Sequence, residues 1–172
     1  MSDSTMLHLI LLLTAATALL FAAAHDLAVR LVPNGVPMIV AAAGLGLNAL
    51  DSQLTAALFS GGLVFAGTWY CWRRRWIGGG DVKLLSACAL LVPPTSVPEL
   101  ILTTAVAGGV LALFYVALAR LLPKPAQSRP ASLFRRVWRA ERRRIRRGLS
   151  LPYACAITAG VLLTLISSVS FS

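Results

Sequence analysis

Apolar runs of near membrane-spanning length recur along the whole chain, and charged residues are largely confined to the gaps between them. A helix needs about 20 apolar residues to cross a bilayer. Inside lipid, only helices and closed barrels satisfy their own backbone hydrogen bonds. Six runs can be drawn: about Thr5–Ala24, Val36–Leu50, Gln53–Trp72, Leu84–Val97, Glu99–Leu122 and Leu151–Val169. They predict an all-α, polytopic membrane protein, one bundle of about six transmembrane helices over residues 1–172 with no soluble domain. The second and fourth runs are short for a bilayer, and Pro93-Pro94 must break the fourth. Charged residues make up 13% of the chain, against about a quarter in a soluble domain.

The net charge of +10 invites a nucleic-acid reading, which its distribution excludes. All sixteen Lys and Arg fall in three connections: Arg30; then Arg73, Arg74, Arg75 and Lys83; then eleven from Arg120 to Arg147. The other connections and both termini hold none, only Asp3, Asp51 and Glu99. The positive-inside rule therefore puts the odd connections in the cytoplasm and both termini outside it. The first run has no basic residue ahead of it, so it is expected to be a transmembrane helix rather than a secretory signal.

The longest connection, 123–150, begins with the Pro-rich "PKPAQSRP". Residues 132–147 then predict one amphipathic cytoplasmic helix, with Ser132 as N-cap and Gly148 as stop. Leu133, Phe134, Val137, Trp138 and Ile145 fall on one face, and arginines cover the rest. That pattern suits an interfacial helix whose basic stretch, 129–147, meets anionic lipid headgroups. The dense glycines of "AAAGLGLNAL", "SGGLVFAG" and "AVAGGVLAL" read as helix-packing positions. Cys71, Cys88 and Cys155 form no CxxC pair. They are too few for a structural zinc site and are expected to be small hydrophobes, so no metal or cofactor is expected.

An ionisable group at membrane depth is a functional candidate by default. Asp3 lies in the tail, Asp51 and Glu99 at predicted outer connections are expected to be solvated, and Glu141 sits among arginines. That leaves Asp26, after the first run, and Asp81, before the fourth. The predicted topology puts both at the cytoplasmic edge, although 55 positions separate them. Two carboxyls brought close share a proton. One can then activate water while the other polarises a peptide carbonyl. On charge alone each acid could instead have a local partner such as Arg30 or Lys83. Gly78, Gly79 and Gly80 before Asp81 permit positive φ and close approach of another main chain. Lys83, two residues past Asp81, cannot face it on a helix and is expected to reach for headgroups. His25 adjoins Asp26 and could tune it.

These residues carry a resemblance. "GGGDVKLL" resembles the GxGD motif of the prepilin peptidases, integral-membrane aspartic proteases, with Gly78, Gly80 and Asp81 at its fixed positions. "DLAVRLVPN" is similar to the family's other signature, with Asp26, Pro33 and Asn34, and Val32 in place of Ile. "LPYACAITAG" resembles the start of its last helix, on Pro152 and Tyr153. The resemblance implies that Asp26 and Asp81 are the catalytic pair. It implies removal of the short basic leader of type IV-like prepilins at the cytoplasmic face of the inner membrane. The family's large members add a domain with paired CxxC motifs and methylate the new N-terminus. This sequence carries neither, so no N-methylation is expected, and the resemblance is to the short branch of tight-adherence (Flp) pili. A prepilin is then the expected substrate, and pilus-assembly machinery a candidate partner. Two other classes stay open: a small transporter or proton pathway using two membrane aspartates, and a non-enzymatic pilus-assembly subunit held by its basic amphipathic helix.

Overall fold

The computed structural model describes residues 3–121 and 151–170. The basic connection, with the helix expected over 132–147, lies outside the described residues. Among these there are six α-helices: α1 Asp3–Val29, α2 Gly35–Leu50, α3 Leu54–Arg73, α4 Gly79–Leu91, α5 Val97–Leu121 and α6 Tyr153–Ser170. The all-α expectation holds. α1, α3 and α5 with the short 3-10 turn before it are long and apolar enough to cross a membrane.

The ends of the helices follow local chemistry. Arg30 and Arg75 take left-handed φ values of 63° and close α1 and α3. After α3, Arg75 N–H bonds the Trp72 carbonyl at 2.8 Å and Trp76 N–H bonds that of Cys71 at 3.0 Å. This satisfies carbonyls that a helix end would otherwise leave open. α4 stops ahead of Pro93, with Val92 already extended at φ −85°, ψ 156°, as a residue before proline must be. The expected fourth span, 84–97, is thus moved toward the N-terminus. It starts inside the glycine run and ends before the prolines.

α4 is short because the glycine run and Pro93 bound it, and its apolar stretch is enclosed. It packs against α2, α3 and α6, and Val82, Leu84, Leu85, Ala87, Cys88, Ala89 and Leu91 are buried. A helix apolar all round belongs in an interior. The outer helices instead turn large apolar side chains outward, among them Ile10, Phe59, Leu63 and Leu113. In water such a surface would be a defect. Beside lipid it is the expected exterior, and the chain is a membrane protein.

With little hydrophobic drive between helices in lipid, close contact and hydrogen bonds hold them together. Asn48 Nδ2 donates to the carbonyls of Gly44 and Leu90, both at 2.9 Å, joining α2 to α4. Thr103 Oγ1 donates to Gly160 O at 3.2 Å, joining α5 to α6. Thr158 Oγ1 donates to Leu19 O at 3.2 Å, joining α6 to α1. The acids expected to be solvated loop charges also have partners: Asp51 pairs with His8 at 2.9 Å, and Glu99 accepts a hydrogen bond from Ser167. Both pairs sit where helix ends meet, so a side chain from the next helix is already within reach.

At Gly44 the backbones of α2 and α4 nearly touch: a Cβ there would lie 2.5 Å from the Leu90 carbonyl carbon and 2.7 Å from Leu91 Cα. Gly62 on α3 has nothing within 4 Å. Gly44→Ala must therefore push two backbones apart and is expected to destabilise by about 1–3 kcal/mol. Gly62→Ala should be neutral or slightly stabilising. Thermal unfolding of both variants in one detergent checks the contrast.

Candidate active site

The helix directions gather the two interior acids at one end of the bundle. α1 runs toward that end and carries Asp26 in its last turns; α4 starts there, with Asp81 in its first turn. The loops 30–34 and 74–78 and the start of α6 lie at the same end. The opposite end holds the Asp51 turn, the Pro93–Ser96 turn and the Glu99–Ser167 contact.

Asp26 is buried at 7% exposure. Its Oδ2 accepts the backbone N–H of Ala154 at 3.1 Å. Ala154 lies in the first turn of α6, where backbone N–H groups have no partner inside their own helix. A carboxylate at that place satisfies one of them and faces the positive end of the helix dipole. Two further contacts repeat the antiparallel register: Cys155 Sγ reaches Ala23 O at 3.5 Å, and Thr158 reaches Leu19.

Asp81 sits three residues into the α4 segment that begins with Gly78 as N-cap. Its Oδ2 accepts the Gly78 N–H at 3.3 Å, so this carboxyl too sits at a helix start. It lies ahead of the apolar run that begins at Leu84, at the open end of the bundle. The charge of Asp26 reaches it. The structure thus brings together the two acids singled out from sequence, within range of each other's charge. The charge of Asp81 also bears on Tyr153, whose ring rests on Gly108 of α5, where a Cβ would come within 2.7 Å of Cε2.

The positive φ expected of the three glycines does not occur; that conformation falls instead to Arg75. Gly78 is extended at φ −76°, ψ 149°. A Cβ on it would lie 2.9 Å from Asp81 Oδ2, so its bare backbone makes room for the carboxylate. Gly79 lies against the Trp72 indole, with a Cβ 3.3 Å from Nε1, whereas at Gly80 a Cβ would meet Val32 at an ordinary 3.5 Å. The contact between Gly80 and Val32 is where the loop after α1 crosses the start of α4.

Pro33 and Asn34 open α2, and the Pro33 carbonyl accepts the Val36 N–H at 3.1 Å. Lys83, expected to reach for headgroups, instead donates to Asn34 Oδ1 at 3.0 Å and ties the start of α2 to α4. Asn34 makes no side-chain cap of its own helix, which leaves its oxygen for the lysine. His25 turns away from Asp26: Nδ1 bonds Leu31 O at 2.7 Å and the ring leans on Phe21. Arg30, expected as a topology signal, donates to Tyr115 Oη at 3.3 Å and lies over that ring. Among the described residues no group of three or more His, Cys, Asp and Glu gathers.

Sequence reasoning missed Ala154, whose side chain has no chemistry; its N–H is what counts. The signal that could have found it is Pro152-Tyr153, a proline opening an apolar run, which marks a helix start.

A family model described as the type IV leader peptidase family matches residues 13–113. The matched stretch contains Asp26, the Pro33-Asn34 turn and the Gly78–Asp81 run, and ends before α6. No curated protein and no solved structure matches the chain.

Proposed function

The chain belongs to the type IV leader peptidase family, and from that premise we propose that it is an aspartic endopeptidase in which Asp26 and Asp81 share a proton and activate water. The observation that carries this reading is the meeting of two carboxyls, far apart in sequence, at one end of a lipid-facing bundle. Asp26 keeps a hydrogen bond from Ala154 on Oδ2; its other oxygen takes the proton of the attacking water. Asp81 carries the shared proton and donates it toward the scissile carbonyl. Attack gives a tetrahedral diol. Asp26 then passes its proton to the leaving nitrogen while a diol hydroxyl returns one to Asp81, so that the C–N bond breaks, a carboxylic acid and an amine leave, and the pair is restored.

The substrate of this reading is the leader of a type IV-like prepilin, of the Flp kind, cut where the basic leader meets the apolar helix. The end holding the two acids also holds every described Lys and Arg: Arg30, Arg73, Arg74, Arg75, Lys83 and Arg120. The opposite end holds Asp3, Asp51 and Glu99. That segregation supports an active site facing the cytoplasm and both termini outside it, in the inner membrane. Asp26 and Asp81 are then the catalytic residues. Gly78 positions Asp81, Gly79 and Gly80 shape the start of α4, and Pro33, Asn34 and Lys83 tie the neighbouring loop. No methyl transfer belongs to the reading.

Detergent-solubilised protein incubated with a prepilin peptide spanning the leader junction provides the test. Asp26→Asn and Asp81→Asn should each lower cleavage by roughly 10²–10⁴-fold, the contribution of a positioned acid or base. Gly78→Ala, which pushes on the Asp81 carboxylate but leaves both acids in place, should fall between those variants and wild type. Normal cleavage in either Asn variant would sink the proposal.

A further inference from the structure

The end of α3 and the turn that follows it carry a second cluster that the proposed chemistry does not use. Trp69, Tyr70, Trp72 and Trp76 are all exposed, and Arg73, Arg74 and Arg75 stand among them. The Arg73 guanidinium lies over the Trp69 ring, 5.8 Å from its centroid, and Arg74 lies over Tyr70 at 5.3 Å. Both pairs are four apart on the helix, the spacing that brings side chains together. Arg74 is fixed further by Nε and Nη2, which donate to Tyr70 Oη at 3.2 and 2.9 Å. No acid occurs between Asp51 and Asp81.

A guanidinium over a ring is held by the cation–π attraction and still offers oxyanions the N–H groups that no partner takes; in Arg74 the Tyr70 contacts use Nε and Nη2. Arginine, unlike lysine, can take a phosphate by two parallel hydrogen bonds. The cluster continues the lipid-facing side of α3, where Phe59, Leu63 and Phe65 are exposed. It stands where that apolar surface ends, and tryptophan and tyrosine are enriched at this level of a bilayer. The cluster also touches the Asp81 segment, since Trp72 packs on Gly79.

We infer that the Trp69–Trp76 cluster is a binding surface for the headgroup of an anionic phospholipid, and that the bound lipid fixes the start of α4 at the bilayer surface. The ring-held guanidinium groups recognise the phosphate, and the indoles rest in the headgroup layer. Binding draws on charge and stacking alone, so it stands whether or not the two acids cleave peptides.

The test uses the full chain reconstituted into vesicles. Trp138→Phe removes the one tryptophan outside the cluster, so the remaining fluorescence reports on Trp69, Trp72 and Trp76. Brominated phosphatidylglycerol in phosphatidylcholine is compared with brominated phosphatidylcholine in phosphatidylglycerol at equal mole fraction. The anionic quencher is expected to give about twofold greater quenching, as lipids gather at a basic surface, and added inorganic phosphate should leave the excess in place. Substituting arginine by lysine at 73, 74 and 75 together keeps the charge that orients the protein but removes stacking and the paired donors. The excess should then drop by at least half. Equal quenching by both lipids overturns the inference, as does an undiminished excess in the lysine variant. Loss of the excess to inorganic phosphate points to a free-anion site. Absence of the excess, with capture of an added oligo-glutamate peptide, points to an acidic protein partner. Either result also overturns it.

Discussion

The hydrogen bond from the Ala154 backbone to Asp26 organises the end of the bundle that matters. A buried carboxyl is tolerated in such a place only with hydrogen-bonding partners. A helix start likewise leaves N–H groups that need acceptors. α1 brings the acid, α6 brings the donor, and each removes the other's difficulty. Asp81 meets the same need more locally, through the Gly78 N–H at the start of its own helix. Two helix starts, of α4 and α6, thus converge near the end of α1, and the field of both favours negative charge there. That electrostatic frame underlies the proposed peptidase chemistry.

Much of this was legible in the sequence because lipid imposes strong rules. The apolar runs predicted six helices, and six occur among the described residues. The two acids stood out because so few charges lie near membrane depth, and their shared end follows from counting helices. Limits appear where a neighbouring helix decides the outcome. Lys83 turned to Asn34, Arg30 to Tyr115, and Glu99 to Ser167. None of these pairs is close in sequence, so no local pattern could show them. α4 looked too short to span because it was judged against a bilayer; its surroundings are other helices.

The glycine run shows a subtler gap. Three glycines in a row permit both a positive φ and a close approach, and the sequence offered no means of telling which is used. In the fold Gly78 gives space to the Asp81 carboxylate and Gly79 to the Trp72 indole, while a Cβ at Gly80 would meet Val32 at ordinary contact distance. The positive φ fell to Arg75, a residue with a Cβ, which is uncommon in that conformation. The sequence features that make a helix end are therefore poor guides to which residue bears its backbone turn.

Because the donor that holds Asp26 belongs to α6, the surroundings of that acid are unfinished until α6 has been made. A nascent polypeptide halted after α5 already contains both aspartates but lacks Ala154, whose N–H meets Asp26 from the far side. A truncated product, made by premature termination, would sit in the bilayer with its acids present and their environment incomplete.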